Sequence, residues 1–148
     1  MTNLRVRSYT ILTALVVLAL VVPNISLKAH SVSLVVKVPF AFQAGDKTLP
    51  AGTYTLKRQG EAVRIRDASG HDTSVISNAI ANRAKGVANE ATFSHYGSTY
   101  FLSEVCWSDY STARGIPKSP AEEKLAKSTK PESVKVNGTL GDDTAPAK

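Results

Sequence analysis

The chain has 148 residues, 43% of them hydrophobic and 20% charged, with a formal net charge of +6. This length suits a single domain, at roughly 100–200 residues per domain. Cys106 is the only cysteine, which excludes a disulfide scaffold, and the composition excludes collagen, a coiled coil and a multispan membrane protein.

The first 31 residues are predicted to form a secretory signal peptide. Arg5 and Arg7 provide its positive start, Tyr9 to Val22 is an apolar stretch of 14 residues, and Ala29-His30-Ser31 fits the small-x-small cleavage pattern. An uncleaved anchor is the alternative, but a span needs about 20 apolar residues and this run is shorter. We therefore expect an exported protein, periplasmic or extracellular, with no stable membrane span once the leader is removed.

Removal of the leader changes the charge of the chain. It takes away three of the 18 basic residues and none of the 12 acidic ones, so the net charge falls from +6 to +3. A charge of this size is ordinary for a soluble domain and does not favour nucleic acid as a partner.

Residues 32–118 are predicted to form a mostly β domain of about six strands, because apolar and polar side chains alternate with period two. Pro39 marks the strand from Ser33 to Phe42 as an edge or a bulge, since proline cannot donate to a ladder. A shorter strand is expected from Thr73 to Ser77, and residues 78–89 fit either a loop or a short frayed helix. The pattern fits a small antiparallel sandwich or an open barrel and does not distinguish them.

Two hairpin loops set the register of four of these strands. Gly60-Glu61 and Gly97-Ser98 are two-residue loops with glycine first, as a type II′ turn requires. Counting outward from the first loop pairs Lys57 with Arg64 and places the apolar side chains of both strands on one face.

A short helix and a polar tail are predicted after the β domain. Ser119 is placed as the N-cap, and Glu122 three residues later completes a capping box. Ala121 and Leu125 form the only stripe that could dock the helix, and the chain beyond it is polar enough to predict disorder. The predicted organisation is a leader at 1–31, a β-rich domain at 32–118, a helix at 119–129 and a disordered tail at 130–148.

Five segments stand out as a set: Val38-Pro39-Phe40-Ala41-Phe42, Leu49-Pro50-Ala51-Gly52-Thr53-Tyr54, His95-Tyr96-Gly97, Tyr100-Phe101-Leu102-Ser103-Glu104-Val105 and Ile116-Pro117-Lys118-Ser119. Together they resemble a group of small secreted proteins found in acidobacteria, over most of residues 34–127. The resemblance implies export and a β-rich fold, and it implies no activity. The residues that correspond to Val105 and Trp107 are adjacent in that group. The additional Cys106 between them therefore predicts a bulge after Val105.

The sequence predicts no group of side chains arranged for catalysis. His95 and Cys106 are on the order of 20 Å apart in the predicted hairpin, which is too far for a Cys–His pair and favours a buried structural thiol. In the simple hairpin register Ala91 opposes Glu104, so Glu90 and Glu104 lie on opposite faces and do not form the carboxylate pair that glycoside hydrolysis needs.

Metal and cofactor binding are not expected either. His71 and Asp72 are adjacent and alternate across a strand, so they do not converge on one ion. No segment matches the spacing of zinc ligands or a phosphate-binding glycine loop.

The first candidate binding surface is basic. Lys57, Arg64 and Arg66 share the outward face of the hairpin around Gly60-Glu61. Like charges directly opposite each other are destabilising, so either solvent screens them or an anion lies there. Because arginine suits bidentate contacts with carboxylate and phosphate, an anionic envelope ligand such as a phosphorylated or uronic-acid polymer is the specific hypothesis.

The second candidate surface is aromatic. Tyr96, Tyr100, Trp107 and Tyr110 could form a platform for a sugar or a peptide. The alternative, which we favour, is that these side chains close the core and its edge.

Three functional hypotheses follow. The leading one is a secreted, non-enzymatic binding or structural module of the cell envelope, whose partner is an anionic envelope polymer or another envelope protein. The second is a small secreted hydrolase of unrecognised type. The third is an inhibitor or assembly partner that docks by strand addition along the expected edge from Val35 to Ala41.

Overall fold

The structure, a computed structural model, describes residues 32–80, 88–110 and 112–142. The predicted leader lies outside the described residues, as do residues 143–148 of the predicted tail. The described chain forms eleven strands and one helix. In order these are β1 (Val32–Val38), β2 (Phe42–Ala44), β3 (Lys47–Leu49), β4 (Gly52–Gln59), β5 (Ala62–Asp67), β6 (Asp72–Ile76), β7 (Asn78–Ile80), β8 (Glu90–Tyr96), β9 (Thr99–Cys106), β10 (Ala113–Gly115), α1 (Pro120–Ala126) and β11 (Glu132–Asp142).

One sheet holds all the described strands and curls into an open half-barrel. Its main path runs β3-β2-β9-β8-β11-β1-β4-β5-β6, with β10 beside β9 and β7 beside β10. The prediction of a mostly β fold is confirmed, and the open-barrel alternative describes the shape. The expected number of about six strands was too low, because β2, β3, β7 and β10 have three residues each and are too short to show an alternation.

The hydrophobic core lies on the inner side of the curl. The period-two alternation turns Leu34, Val36, Leu56, Val63 and Ile65 inward, and each is at most 1% exposed. Aromatic rings from the neighbouring strands pack at edge-to-face angles within this core. Burial of each such aliphatic side chain contributes about 1.5–3 kcal/mol, so these strands carry much of the stability.

The β4–β5 hairpin has the predicted register. Lys57 lies opposite Arg64, as counting from the loop required. Gly60 and Gly97 both have a positive φ, 58° and 61°, which is why glycine stands first in each loop.

The β8–β9 hairpin contains a bulge, but not where it was predicted. The register shifts between Thr92 and Phe93, which pair with Glu104 and Leu102, so Ser103 is the additional residue. Its hydroxyl donates to the carbonyl of Thr92 at 3.0 Å. Cys106 is an ordinary ladder residue, so the expectation of a bulge after Val105 was wrong.

The first strand is not an edge. β1 pairs with β4 on one side and with β11 on the other. Pro39 is compatible with this position because the strand ends at Val38, one residue before it. The edge alternative for this strand was therefore wrong, and within the proposed docking edge from Val35 to Ala41 the residues Val35 and Val36 have a neighbouring strand on both sides.

The predicted disorder of the tail was wrong for residues 132–142. This segment forms β11, which lies between β8 and β1 and pairs with both. Gly138 is required at its closest approach, because a Cβ there would lie 2.6 Å from both Leu34 Cδ1 and the carbonyl oxygen of Val35. A polar strand is stable here because each half of it is hydrogen-bonded to a neighbour, Glu132–Asn137 to β8 and Gly138–Asp142 to β1.

The predicted helix is present in shorter form. Ser119 is the N-cap, and its hydroxyl accepts from the backbone N–H of Glu122 at 3.2 Å. The docking side differs from the prediction, because Ala121 is exposed and Glu122 is 3% exposed.

The segment from 78 to 89, left open by the sequence, begins as strand β7, which pairs with β10. Residues 81–87 lie outside the described ranges. Asn89 then connects β11 with the segment that follows β9, since its carbonyl accepts from Gly138 N at 2.8 Å and its side chain accepts from Ser108 N at 2.8 Å.

Candidate functional site

The outer side of β1, β4, β5 and β6 carries a basic surface. Alternation along these strands turns Lys37, Lys57, Arg64 and Arg66 outward, together with Asp72 of β6. We call these five side chains the basic face. Four cations and one carboxylate give it a net charge of +3.

Asp72 organises both arginines of the basic face. Arg66 makes a bidentate contact, with Nε donating to Asp72 Oδ1 and Nη2 donating to Asp72 Oδ2, both at 2.9 Å. Arg64 Nη2 donates to the same Oδ2. A planar guanidinium held in this way loses rotational freedom, so both guanidinium groups are positioned before any ligand arrives.

The carboxylate of Asp72 remains ionised over the neutral and mildly acidic range. The hydrogen bonds from Arg66 and then from Arg64 hold the pKa of Asp72 well below its ordinary value of 3.8. The sequence left open whether solvent or an anion offsets the repulsion between these cations. For the two arginines an anion does so, and it is Asp72 of the chain itself.

A shallow cleft lies on the basic face. It is lined by Thr55, Lys57, Arg64 and Arg66 and has a volume of about 40 Å³. This space admits one small group, so a polymer would lie across the surface and place single charged groups into the cleft.

The aromatic residues do not form a platform. Trp107 and Tyr96 are buried, and their polar atoms donate inward: Trp107 Nε1 to Leu56 O and Tyr96 OH to Glu122 Oε1, each at 3.3 Å. Tyr100 is half-buried and stacks on Phe40, with ring centroids 3.8 Å apart. These positions agree with the alternative that we favoured, in which the rings close the core and its edge. Tyr96 and Trp107 are therefore not accessible for binding.

The two carboxylates of the β8–β9 hairpin lie on one face, which corrects the prediction. The bulge at Ser103 pairs Glu90 with Cys106, and Glu104 lies two residues before Cys106 on the same side. Glu90 accepts from Lys135 Nζ at 2.9 Å, and Glu104 accepts from the thiol of Cys106 at 3.5 Å.

Cys106 is buried, as expected for a structural thiol. His95 pairs with Tyr100 near the turn, whereas Cys106 pairs with Glu90 at the far end of the hairpin. Five ladder positions separate them, which is about 17 Å at 3.4 Å per residue, so they form no catalytic pair.

Sequence reasoning placed Lys57, Arg64 and Arg66 on the correct face and missed Asp72 and Lys37 as members of it. Asp72 could have been found from the short turn after β5, which fixes the register of β6 and sets Asp72 opposite Arg66. It was weighed only as a metal ligand beside His71.

Over the described ranges, no group of three or more histidine, cysteine, aspartate or glutamate side chains is arranged to hold a metal ion. Within the same residues, no helix has the length and hydropathy needed to cross a bilayer. Comparisons of the chain with protein-family models, with curated proteins and with solved structures found no match. The functional argument therefore rests on geometry and charge.

Proposed function

We propose that this chain is an exported, non-enzymatic module of the cell envelope that binds an anionic polymer through the basic face. The observation that carries the proposal is the pair of arginines positioned by Asp72 beside Lys57, on a surface of net charge +3. The signal-peptide pattern and the resemblance to small secreted proteins support the location.

Binding is preferred to hydrolysis because the side chains weighed for catalysis are engaged elsewhere or lie far apart. Glu90 contacts Lys135, Glu104 contacts Cys106, and His95 is at the opposite end of the hairpin from Cys106. The basic face needs no such convergence, since a polymer is held by several separate charge contacts.

The test uses retention on two immobilised polymers, polygalacturonate for uronic acids and polyphosphate for phosphates. The double variant Arg64→Glu/Arg66→Glu is expected to lose roughly tenfold or more in affinity, because it removes both guanidinium groups and reverses their charge. The matched control is Lys124→Glu/Lys127→Glu. Lys124 lies in α1 and Lys127 follows it, both are exposed, and the change in net charge is the same. Retention by the wild type should also weaken with added salt.

Asp72→Asn separates specific binding from general charge attraction. It adds one positive charge but releases both guanidinium groups from the carboxylate that positions them, so retention is expected to fall, whereas attraction by net charge alone would make it rise. Equal losses in the Arg64/Arg66 variant and in the Lys124/Lys127 control would contradict the proposal, because attraction would then depend on net charge alone.

A further inference from the structure

The edge strand β6 leaves one side of its backbone without a neighbouring strand. Within the described part of the chain, β6 pairs with β5 alone, and β7 turns away to pair with β10. Ser77 N donates to Glu61 O at 2.8 Å, and His71 O accepts from Asp67 N at 3.0 Å. Since backbone groups alternate along a strand, those of Ser74 and Ile76 point away from β5.

A groove runs beside this edge. It has a volume of about 410 Å³ and lies between β6, the turn that joins β2 to β3, and the segment leading into α1. This is the seam between the two ends of the curled sheet. If residue 45 carried a Cβ, that atom would lie 3.5 Å from Val75 Cγ1, so the turn comes close to β6.

We propose that an extended peptide segment of a partner protein adds to β6 as a new strand and fills this groove. Strand addition uses main-chain hydrogen bonds for affinity and pockets for alternate side chains for specificity. β6 spans five residues, about 17 Å, which matches a short extended peptide. The site uses the backbone edge of β6 and the groove beside it, whereas the proposed anion contacts use the side chains of Lys57, Arg64 and Arg66.

The side chains around the groove define the chemistry of the peptide. Ile76 is 74% exposed, and an apolar side chain on an adjacent strand would cover it. Lys47 and Lys118 line the groove with Asp46 as the one acid among its lining residues, so the local charge is positive. The partner segment therefore alternates apolar residues with acidic ones.

The probe is a labelled peptide, acetyl-Thr-Val-Glu-Val-Glu-Val-Thr-amide, with a second peptide that carries lysine in place of glutamate. Binding of each to the full chain is measured by fluorescence anisotropy, and hydrogen exchange of the Ser74 and Ile76 amides is followed by NMR. We expect binding of the glutamate peptide, slower exchange at both amides, and affinity for the lysine peptide that is lower by roughly tenfold or more.

Two sets of variants locate the site. Ser74→Pro removes an outward N–H and is expected to weaken peptide binding at least roughly tenfold, whereas Ser74→Val keeps that N–H and preserves binding. Lys47→Glu/Lys118→Glu changes exposed side chains only and should reverse the preference between the two peptides. Retention of the wild type on polygalacturonate is measured separately, so a failure of peptide binding is distinguished from a failure of the proposed anion binding.

Three outcomes would overturn the inference. One is absence of glutamate-peptide binding at 1 mM, a concentration that corresponds to about −4 kcal/mol. Another is binding of the glutamate peptide that neither Ser74→Pro nor Lys47→Glu/Lys118→Glu changes. The third is a dimer of the chain that Ser74→Pro abolishes in the absence of peptide, because the edge would then belong to a second copy.

Discussion

Glu122 is a carboxylic acid that the fold buries against the β8–β9 hairpin. It is 3% exposed, and Tyr96 OH donates to its Oε1 at 3.3 Å. Burial raises the pKa of Glu122 above its ordinary value of 4.5, although Tyr96, Lys118 and Ser94 act in the opposite direction. The folded state therefore holds a proton on Glu122 at pH values at which the unfolded chain has released it.

This linkage gives a pH-dependent prediction. Between the unfolded and folded pKa values of Glu122 the folded state binds more protons, so stability falls as pH rises through that window. Glu122→Gln keeps an acceptor for Tyr96 and removes the charge. The variant should therefore match the wild type at pH 4 and become more stable than it as pH increases to 8. Thermal unfolding across this range measures the difference in Tm.

Glu123→Gln is the control for the Glu122 variant, because Glu123 is the exposed neighbour on the same helix. It should show no such trend with pH. If the wild type instead gained stability over Glu122→Gln as pH rises, Lys118 would outweigh the cost of burial.

At the scale of single residues the sequence predicted the helix start at Ser119 but not the partner of the Glu122 side chain. The spacing of Ser119 and Glu122 indicated a helix start, and the N-cap hydrogen bond is present. The side chain of Glu122 contacts Tyr96, 26 residues earlier in the chain, rather than completing the capping box. No local pattern distinguishes these two partners, since both use the same carboxylate.

Among the elements, β11 contributes most to the continuity of the sheet. It pairs with β8 through Glu132–Asn137 and with β1 through Gly138–Asp142. Its alternation of Val134, Val136 and Leu140 with polar residues was visible in the sequence. It was not recognised as a strand because Gly138 interrupts the apolar positions and the segment is otherwise polar.

Truncation tests this element directly. A chain that starts at Val32 and ends at Lys130 lacks β11, so β8 and β1 lose their shared neighbour and the sheet divides in two. We expect loss of cooperative unfolding and of NMR chemical-shift dispersion. A chain that ends at Asp142 should retain both. Cooperative unfolding of the shorter chain near the Tm of the longer one would contradict this role.

Over the whole molecule, the sheet joins segments from opposite ends of the described chain. β1 pairs with β11, and Val32 lies opposite Asp142, 110 residues later. Pairings at such separations require closure of long loops before they contribute favourable contacts. The strand pairs with local partners are β2–β3, β4–β5, β5–β6 and β8–β9.

We expect slow refolding as a consequence. Proteins dominated by non-local strand pairs fold in about milliseconds to seconds. Stopped-flow fluorescence of Trp107, which is buried in the core, should follow this phase after dilution from denaturant. Complete recovery of the native signal within microseconds would show that the β1–β11 pairing does not limit folding.

The sequence by itself determined the β class, the β4–β5 register, the helix start and the membership of Lys57, Arg64 and Arg66 in one face. Each of these depends on residues close together in the chain, where alternation and turn chemistry act directly. The tertiary structure decided the rest: the interior position of β1, the strand β11, the bulge at Ser103 and the burial of Tyr96 and Trp107. These features arise from hydrogen bonding and packing between elements, whose partners no local pattern specifies.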